Sequence, residues 1–279
     1  MPGSMTLQTA LLQGTRLLED GSIAAPRLTA EVLLAHALHH DRAWLFGHGE
    51  YELGELEWLH YGRYLHERLL GKPTQYITKR QEFYGREFRV TSDVLIPRPE
   101  TEHVVEIALR RLGSAPRILD VGAGAGTLAV TLALETGLTT WATEISPAAA
   151  HVAAQNALAL NADVHLVVCD VTEAIGPGTV SLIVSNPPYV PLAHRDGLQR
   201  EVRDFEPPAA LFAGPTGLEV YERIIADAPR VLHPDGWLVM ELGFGCETGV
   251  RHLLAGWREI EVTPDLAGIP RVIAACRAL

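Results

Sequence analysis

The chain has 279 residues, of which 47% are hydrophobic and 20% charged, and these proportions are ordinary for a globular protein with one large domain or two smaller ones. Its formal net charge of -11 disfavours nucleic acid as a partner, although a local basic patch would outweigh that total. Its three cysteines form no CxxC pair, and we recognise neither an apolar run of membrane-spanning length nor a signal peptide. We therefore expect a cytoplasmic protein with no disulfide framework, no structural zinc, no bound metal and no membrane association.

The first seventy or so residues carry a helical pattern of apolar positions. Hydrophobic residues recur at spacings of three and four between Leu7 and Leu38, and Pro26 fits the start of a second helix. A third helix is predicted over Glu55 to Leu70. We expect residues 1–73 to form a small all-α bundle.

The pattern changes after Pro73. β-branched and aromatic residues between Tyr76 and Val90 surround a Tyr84-Gly85 pair, which predicts a β-hairpin with Gly85 in its turn. This hairpin would form a linker over residues 74–96.

From residue 97 onwards, strand patterns alternate with helical ones, which is typical of an α/β domain with helices on a doubly wound sheet. We expect this domain to cover residues 97–279. Its strands are predicted over Arg117–Val121, Thr140–Ile145, Val164–Asp170, Ser181–Ser185, Trp237–Leu242, Glu259–Thr263 and Val272–Cys276. Helices are predicted between most of these strands, including Thr127–Glu135, Pro147–Leu160 and Gly217–Leu232.

The first of these strands runs into a glycine-rich turn, and a helix follows it. The strand ends in Asp120 and Val121, and the turn consists of Gly122, Ala123, Gly124, Ala125 and Gly126. Glycines let the backbone approach a ligand closely, and the N-terminus of the next helix favours its carboxylate-bearing end. The spacing is G-x-G-x-G and differs from the G-x-G-x-x-G of dinucleotide-binding folds. The alternative interpretation is a tight strand-to-helix turn without a ligand.

Acidic residues follow the next two strands. Glu144 lies about 20 residues beyond the turn, where a carboxylate can accept both hydroxyl protons of a ribose. Asp170 and Val171 end the third strand, where they would contact an adenine ring through the Asp170 carboxylate and the Val171 side chain or backbone N–H. The alternatives are that Glu144 caps the helix at Ser146 and that Asp170 is an ordinary turn residue.

The fourth strand ends in Asn186, Pro187, Pro188 and Tyr189. Two prolines fix the chain and remove two N–H donors, which leaves carbonyl groups rigidly aimed. The Asn186 side-chain oxygen and the Pro187 carbonyl can each accept one N–H of a planar NH2 group, while Tyr189 offers an aromatic face for stacking. These residues fit the methylation of an amide or amino nitrogen, and the alternative is a strand that ends in a plain Pro-Pro turn.

The two motifs together resemble class I methyltransferases that carry an NPPY motif. Three further stretches make the chain similar to the HemK/PrmC family of release factor glutamine N5-methyltransferases. They are Glu82 to Val90, Leu95 to Glu102, and Phe205 to Pro207. The similarity runs from about Leu7 to the C-terminus and implies a Rossmann-like sheet of seven strands, preceded by the helical bundle and the linking hairpin.

The resemblance also implies the substrates. The methyl donor would be S-adenosylmethionine, with S-adenosylhomocysteine as product, and the acceptor would be the glutamine of the Gly-Gly-Gln loop in class-1 peptide chain release factors. The helical domain would help to dock the release factor, and the enzyme is expected to be a monomer. Carried over by position, the cofactor contacts are Asp120, Gly122, Ala123, Gly124, Ala125, Gly126, Glu144, Asp170, Val171 and Asn186. Asn186, Pro187, Pro188 and Tyr189 would hold the glutamine, and Arg98 would cover the site.

Small departures from the family pattern concern the adenosine pocket and the last hairpin. Ala125 stands where a hydroxyl residue is frequent, Glu144 where aspartate is common, and Ile269-Pro270 where a more polar pair is usual.

Other functions fit parts of the sequence. A sibling enzyme that methylates a glutamine of a ribosomal protein shares the NPPY motif but usually lacks the Pro97–Glu102 junction, and an adenine-N6 methyltransferase of nucleic acid would need a basic groove. A non-catalytic module that docks on release factors would not need the Asn186 motif. An NAD-dependent oxidoreductase would need a different glycine spacing.

Overall fold

The structure is a computed structural model that describes residues 5–113 and 117–278, so the first four residues of the expected helical domain lie outside the described part. The chain divides into two compact units. The helical unit consists of Met1–Lys79 and Gln199–Phe205, and the sheet unit consists of Arg80–Leu198 and Glu206–Leu279. No helix within the described residues is both long and apolar enough to cross a membrane.

The helical unit begins with five helices. They are α1 (Leu7–Asp20), α2 (Pro26–Leu38), α3 (Arg42–Gly47), α4 (Glu55–Leu69) and α5 (Thr74–Thr78). The predicted bundle is thus present, while the short helix α3 was not predicted. Its core is apolar, and the fully buried Tyr61 ring of α4 packs against Gly14 of α1, where an added Cβ would lie 1.9 Å from the Tyr61 hydroxyl.

The predicted hairpin is confirmed, but its predicted start at Tyr76 is wrong. Its strands are β1 (Arg80–Phe83) and β2 (Arg86–Arg89), and the two residues between them have positive φ angles of 50° at Tyr84 and 69° at Gly85. Such angles are characteristic of a two-residue turn that matches strand twist. Tyr76 lies on α5 because its side chain and that of Ile77 are buried there.

The main sheet has seven strands, as the sequence indicates. In chain order the strands of the sheet unit are β3 (Ile118–Val121), β4 (Thr140–Glu144), β5 (Val164–Val168), β6 (Val180–Ser185), β7 (Val190–Pro191), β8 (Phe212–Gly214), β9 (Leu232–Glu241), β10 (Arg258–Pro264) and β11 (Pro270–Cys276). The main sheet has the order β10-β11-β9-β6-β3-β4-β5, in which β11 is antiparallel to both neighbours, and β7 pairs with β8 separately. Each predicted strand is present. Only β9 begins well before its predicted start, because Pro234-Asp235-Gly236 resembles a turn.

Helices cover both faces of this sheet and enclose two apolar clusters. They are α6 (Glu102–Arg110), α7 (Thr127–Thr136), α8 (Pro147–Ala159), α10 (Pro208–Leu211), α11 (Glu219–Val231) and α12 (Glu247–Leu253), with 3-10 turns at Pro99–Thr101 and Leu192–Gly197. Since β3, β4, β5 and β6 are parallel, their carboxyl ends meet at one edge of the sheet, where ligands of such folds bind.

A short helix that follows the Asn186 motif belongs to the helical unit. It is α9 (Arg200–Phe205), whose Glu201 accepts a hydrogen bond of 2.6 Å from the buried Arg68 of α4. The sequence contains no indication of this contact between residues far apart in the chain.

Candidate active site

A cavity of about 420 Å³ lies at the carboxyl ends of the parallel strands, within the usual size range of small-molecule sites. Its wall combines the turns after four strands with the segment before α6. The lining residues include Asp120–Ala125, Thr143–Ser146, Cys169–Val171, Ser185–Pro188 and Thr101. The structure thus brings most of the predicted site residues together, whereas Gly126, Tyr189 and Arg98 are not part of the wall.

The glycines of the loop after β3 serve two purposes. Gly122 and Gly124 have φ angles of 79° and 54°, and a Cβ added to either would meet no atom within 4 Å. Their backbone therefore borders open space that a ligand can approach. Gly126 instead permits packing, since its added Cβ would lie 3.0 Å from the Cβ of Ala153 on α8.

The glycine loop is held by Asn156 of α8, which was not predicted as a site residue. The buried Asn156 amide donates to the carbonyl of Ala125 at 2.8 Å, and it both accepts from and donates to the backbone of Arg89 on β2. One side chain therefore connects the hairpin to the loop. These contacts exist only in the folded chain. The sequence therefore indicates the role of Asn156 only by placing an asparagine in the interior of a helix.

Asp120 is a fully buried carboxyl in the cavity wall. Its Oδ2 accepts from the Ala129 backbone N–H at 3.1 Å, whereas its Oδ1 has no hydrogen-bond partner among the described residues. Burial raises the pKa of Asp120 to about 7, and the charge of Glu144 contributes to the increase. A buried acceptor without a partner is costly, so this position is suited to a ligand that donates a proton or carries positive charge.

Glu144 connects two parts of the wall. Its Oε2 accepts from the Gly124 N–H at 2.9 Å, and its Oε1 accepts from the Ser146 N–H at 2.8 Å. The contact with the helix start, which was the alternative role for Glu144, is therefore present, although Ser146 itself caps α8 by accepting from the Ala149 N–H. Because each carboxylate oxygen can accept more than one hydrogen bond, both remain available to ligand hydroxyls.

Asp170 and Val171 border the cavity beyond β5. Asp170 forms an ion pair with Arg223 of α11, which also lines the cavity and was not predicted as a site residue. Val171 has a φ angle of 46°, which is unfavourable for a β-branched residue and costs on the order of 1–3 kcal/mol. Such strain persists where the surrounding structure fixes the backbone, and it is frequent in ligand sites.

Asn186 lies at the end of β6 with its amide group held from one side. Its Nδ2 donates to Thr101 Oγ1 at 3.0 Å, and Thr101 Oγ1 in turn donates to Glu241 Oε2. The Asn186 side-chain oxygen therefore faces away from Thr101. Neither Thr101 nor Glu241 was proposed from the sequence, although Thr101 lies within the junction that resembles the family.

Tyr189 directly follows Pro188, the last residue of this loop that lines the cavity. A Cβ added to Gly243, which follows β9, would lie 2.5 Å from the Tyr189 ring, so only glycine permits this contact. Burial raises the pKa of Tyr189 well above its usual value, so the phenol stays neutral. Gly243 donates its N–H to the buried Tyr221 hydroxyl at 3.1 Å, which keeps the turn in place.

Arg98 is bound to Glu206, which is buried. The Glu206 carboxylate accepts from Arg98 at 2.5 Å and from the Ile96 N–H at 3.2 Å. This pair fastens the proline-rich junction to the segment after α9. Within the described residues, no group of three or more His, Cys, Asp and Glu side chains has the arrangement of a metal site.

Two protein-family models match this chain. The PrmC N-terminal domain family matches residues 9–78, and the methyltransferase small domain family matches residues 102–200. A protein of Koribacter versatilis named release factor glutamine methyltransferase is 44% identical, over 96% of this chain and 98% of the relative. One of the same name from Nitratidesulfovibrio vulgaris is 41% identical, over 98% of this chain and 96% of the relative.

Solved structures support the fold alone. A methyltransferase from Pyrococcus furiosus has a TM-score of 0.54 at 17% identity, covering 77% of this chain and 98% of its own. The hMettl16 catalytic domain, solved with an RNA hairpin of the MAT2A 3'UTR, has a TM-score of 0.57 at 17% identity, covering 77% and 83%.

Proposed function

The chain belongs to the release factor glutamine methyltransferase family, and we propose that it methylates the side-chain amide nitrogen of a release factor glutamine. The acceptor is the glutamine of the Gly-Gly-Gln loop in class-1 release factors, and the methyl donor is S-adenosylmethionine. The observation that carries this proposal within the site is the Asn186 side-chain oxygen, which is turned away from Thr101 at the wall of the cavity.

The wall residues fit S-adenosylmethionine, which supplies an electrophilic methyl group when bound. Gly122 and Gly124 leave room for a ligand close to their backbone, and the free Asp120 Oδ1 suits the ammonium group of the methionine part. Glu144 has acceptor capacity for the ribose hydroxyls. Asp170 and Val171 border the space for the adenine ring.

The residues from Asn186 to Tyr189 orient the glutamine. An amide nitrogen is a weak nucleophile because its lone pair is delocalised, so the enzyme must increase electron density on it and hold it in line. The Asn186 side-chain oxygen and the Pro187 carbonyl each accept one amide N–H, which also stabilises the positive charge that develops on nitrogen. Pro188 fixes the backbone, and Tyr189 stacks on the amide plane. The departing proton goes to water or to a carboxylate.

The remaining features of the proposal concern the whole protein. The helical unit docks the release factor, the enzyme acts as a monomer in the cytoplasm, and it needs no contact with nucleic acid. The acidic net charge of -11 supports the last point, because phosphate backbones are repelled by such a surface.

Mass spectrometry of a purified class-1 release factor, after incubation with the enzyme and S-adenosylmethionine, tests the proposal. We expect the mass of one added CH2 unit on the Gly-Gly-Gln peptide. Asn186→Ala should abolish this gain while S-adenosylmethionine binding, measured by calorimetry, changes by less than about threefold.

Two results would contradict the proposal. The first is methylation of a ribosomal protein or of adenine in DNA, with none on the release factor. It would mean that the enzyme acts on one of these other substrates. Equal loss of methylation and cofactor binding in Asn186→Ala would argue against Asn186 as the amide acceptor.

A further inference from the structure

Two buried polar residues behind Asn186 have no part in the proposed chemistry so far. Thr101 ends the 3-10 turn before α6, and Glu241 ends β9, and each is only 3% exposed. Their side chains form a single chain of hydrogen bonds with Asn186, which runs from Asn186 Nδ2 to Thr101 Oγ1 and from there to Glu241 Oε2. Polar groups buried in this way are usually retained for a structural or functional reason.

The hydrogen-bond chain has a direction because a hydroxyl group has only one proton to donate. An ionised Glu241 carboxylate only accepts, so Thr101 must give its proton to Glu241. Thr101 can then only accept from Asn186, which places the Asn186 NH2 group against Thr101. The oxygen and nitrogen ends of an amide are similar in size, so hydrogen bonding and not packing decides which end faces the cavity.

We propose that Thr101 and Glu241 are positioning residues that keep the Asn186 side-chain oxygen presented to the substrate amide. This inference rests on the proposed function, since it concerns the acceptor that holds the glutamine nitrogen. With the amide reversed, an NH2 group would face the NH2 group of the glutamine, and two donors would oppose each other.

The position of Glu241 is itself fixed from several sides. Its backbone carbonyl accepts from the Tyr221 hydroxyl at 2.8 Å, and Glu241 pairs with Val272 on the neighbouring strand β11. The backbone of Glu241 is therefore fixed by a hydrogen bond and a strand pairing, and the side chain that it carries is almost fully buried.

Protonation of Glu241 would allow the direction of the hydrogen bonds between Glu241, Thr101 and Asn186 to reverse. The charged and titratable groups around it are Glu100 and Arg98 of the proline-rich junction, Arg271 of β11, Tyr189 beyond β6 and Tyr221 of α11. Burial raises the pKa of Glu241 to about 7 despite the Thr101 hydrogen bond, and Glu100 adds to the increase while the two arginines oppose it. Below that pH, Glu241 can donate to Thr101, which is then free to donate to the Asn186 oxygen.

The first test observes the Asn186 side-chain NH2 signals by NMR in the cofactor-free protein, assigned by their loss in Asn186→Ala. Thr101→Val removes the hydroxyl at nearly constant volume, and we expect it to shift or broaden these signals. Thr101→Ser should preserve them. Thr131→Val is the matched control, because Thr131 is fully buried on α7 and its hydroxyl has no partner among the described residues. Unchanged Asn186 signals in Thr101→Val would overturn the proposal.

The second test measures methylation of the release factor. We expect kcat to fall about tenfold or more in Thr101→Val, because a misplaced acceptor no longer holds the nitrogen in line. Cofactor affinity should stay within about twofold, and Thr101→Ser should restore most of the activity. An equal activity of Thr101→Val and wild type would contradict the positioning role.

Glu241→Gln provides evidence that does not depend on Thr101→Val folding. This variant keeps the shape but cannot titrate, so the decline of wild-type kcat as pH falls through about 7 should disappear from its pH profile. A profile identical to that of wild type would overturn the role of Glu241. If wild type does not methylate release factors, the NMR result alone decides the orientation of Asn186, and the substrate proposal fails separately.

Discussion

At the scale of single residues, Glu144 joins the glycine loop to the start of α8 through two backbone N–H groups. In Glu144→Gln, one of these donors would face the NH2 group of the new amide. We therefore expect the affinity for S-adenosylmethionine to fall by about 2 kcal/mol, or about thirtyfold in Kd, as measured by calorimetry. Glu106→Gln, an exposed change on α6, is the control. An unchanged Kd in Glu144→Gln would refute the ribose-binding role.

Gly243 is a second position where one atom should matter. A Cβ there would overlap the Tyr189 ring at 2.5 Å, so Gly243→Ala should push the ring away from the substrate. We expect kcat to fall by about tenfold or more, with little change in cofactor affinity. Gly62→Ala is a suitable control, because its added Cβ on α4 meets nothing within 4 Å. Normal kcat in Gly243→Ala would show that the ring position is not critical.

The residues of the cavity wall differ in how far sequence could predict them. The glycine loop and the Asn186 motif each consist of consecutive residues. The residue types in each already indicate a chemical role, so both were predicted from the sequence. Thr101, Glu241 and Arg223 act through partners more than fifty residues away in sequence. No local spacing reveals such contacts, because only the folded sheet brings these residues together.

At the scale of elements, strands and long helices were predicted well because burial imposes a clear period on them. The errors concern segments where another influence is stronger. Helix α5 forms because tertiary burial of Tyr76 and Ile77 outweighs their β-propensity. The extended start of β9 contains Pro234-Asp235-Gly236, which is typical of a turn, yet Leu232 still pairs with Val180 across an irregular register.

The ion pair between Arg98 and Glu206 links two elements, the proline-rich junction and the segment after α9. Arg98→Leu would remove the guanidinium group that donates to the buried Glu206 carboxylate. We expect a loss of about 2 kcal/mol in the free energy of unfolding, measured with urea. Replacing Glu206 by Gln as well should recover part of this loss.

The exposed pair of Arg80 and Glu87 across the hairpin supplies the comparison. Arg80→Leu should change the free energy of unfolding by less than about 0.5 kcal/mol, because solvent screens such pairs. A similar effect of both arginine substitutions would mean that burial of Glu206 is not the cause.

At the scale of the whole molecule, two buried carboxyl groups make stability depend on pH in an unusual direction. Burial raises the pKa of Asp120 and of Glu241 to about 7, whereas both groups titrate near 4 in the unfolded chain. Between these values the folded state holds protons that the unfolded state has lost. The free energy of unfolding should therefore fall as pH rises through this window, and the loss is complete above about 7.

Asp120→Asn isolates one of these groups, because its neutral amide keeps the shape and cannot titrate. Wild type should lose stability relative to Asp120→Asn between pH 5 and 7, by at most about 1.4 kcal/mol per pH unit. Histidine titration is common to both proteins and cancels in the difference. Urea unfolding at three pH values measures it. The free energy of unfolding of wild type relative to Asp120→Asn could instead stay constant, or increase, as pH rises. Either result would show that Asp120 is already ionised in the folded protein. Its free oxygen would then need no ligand to stabilise the charge.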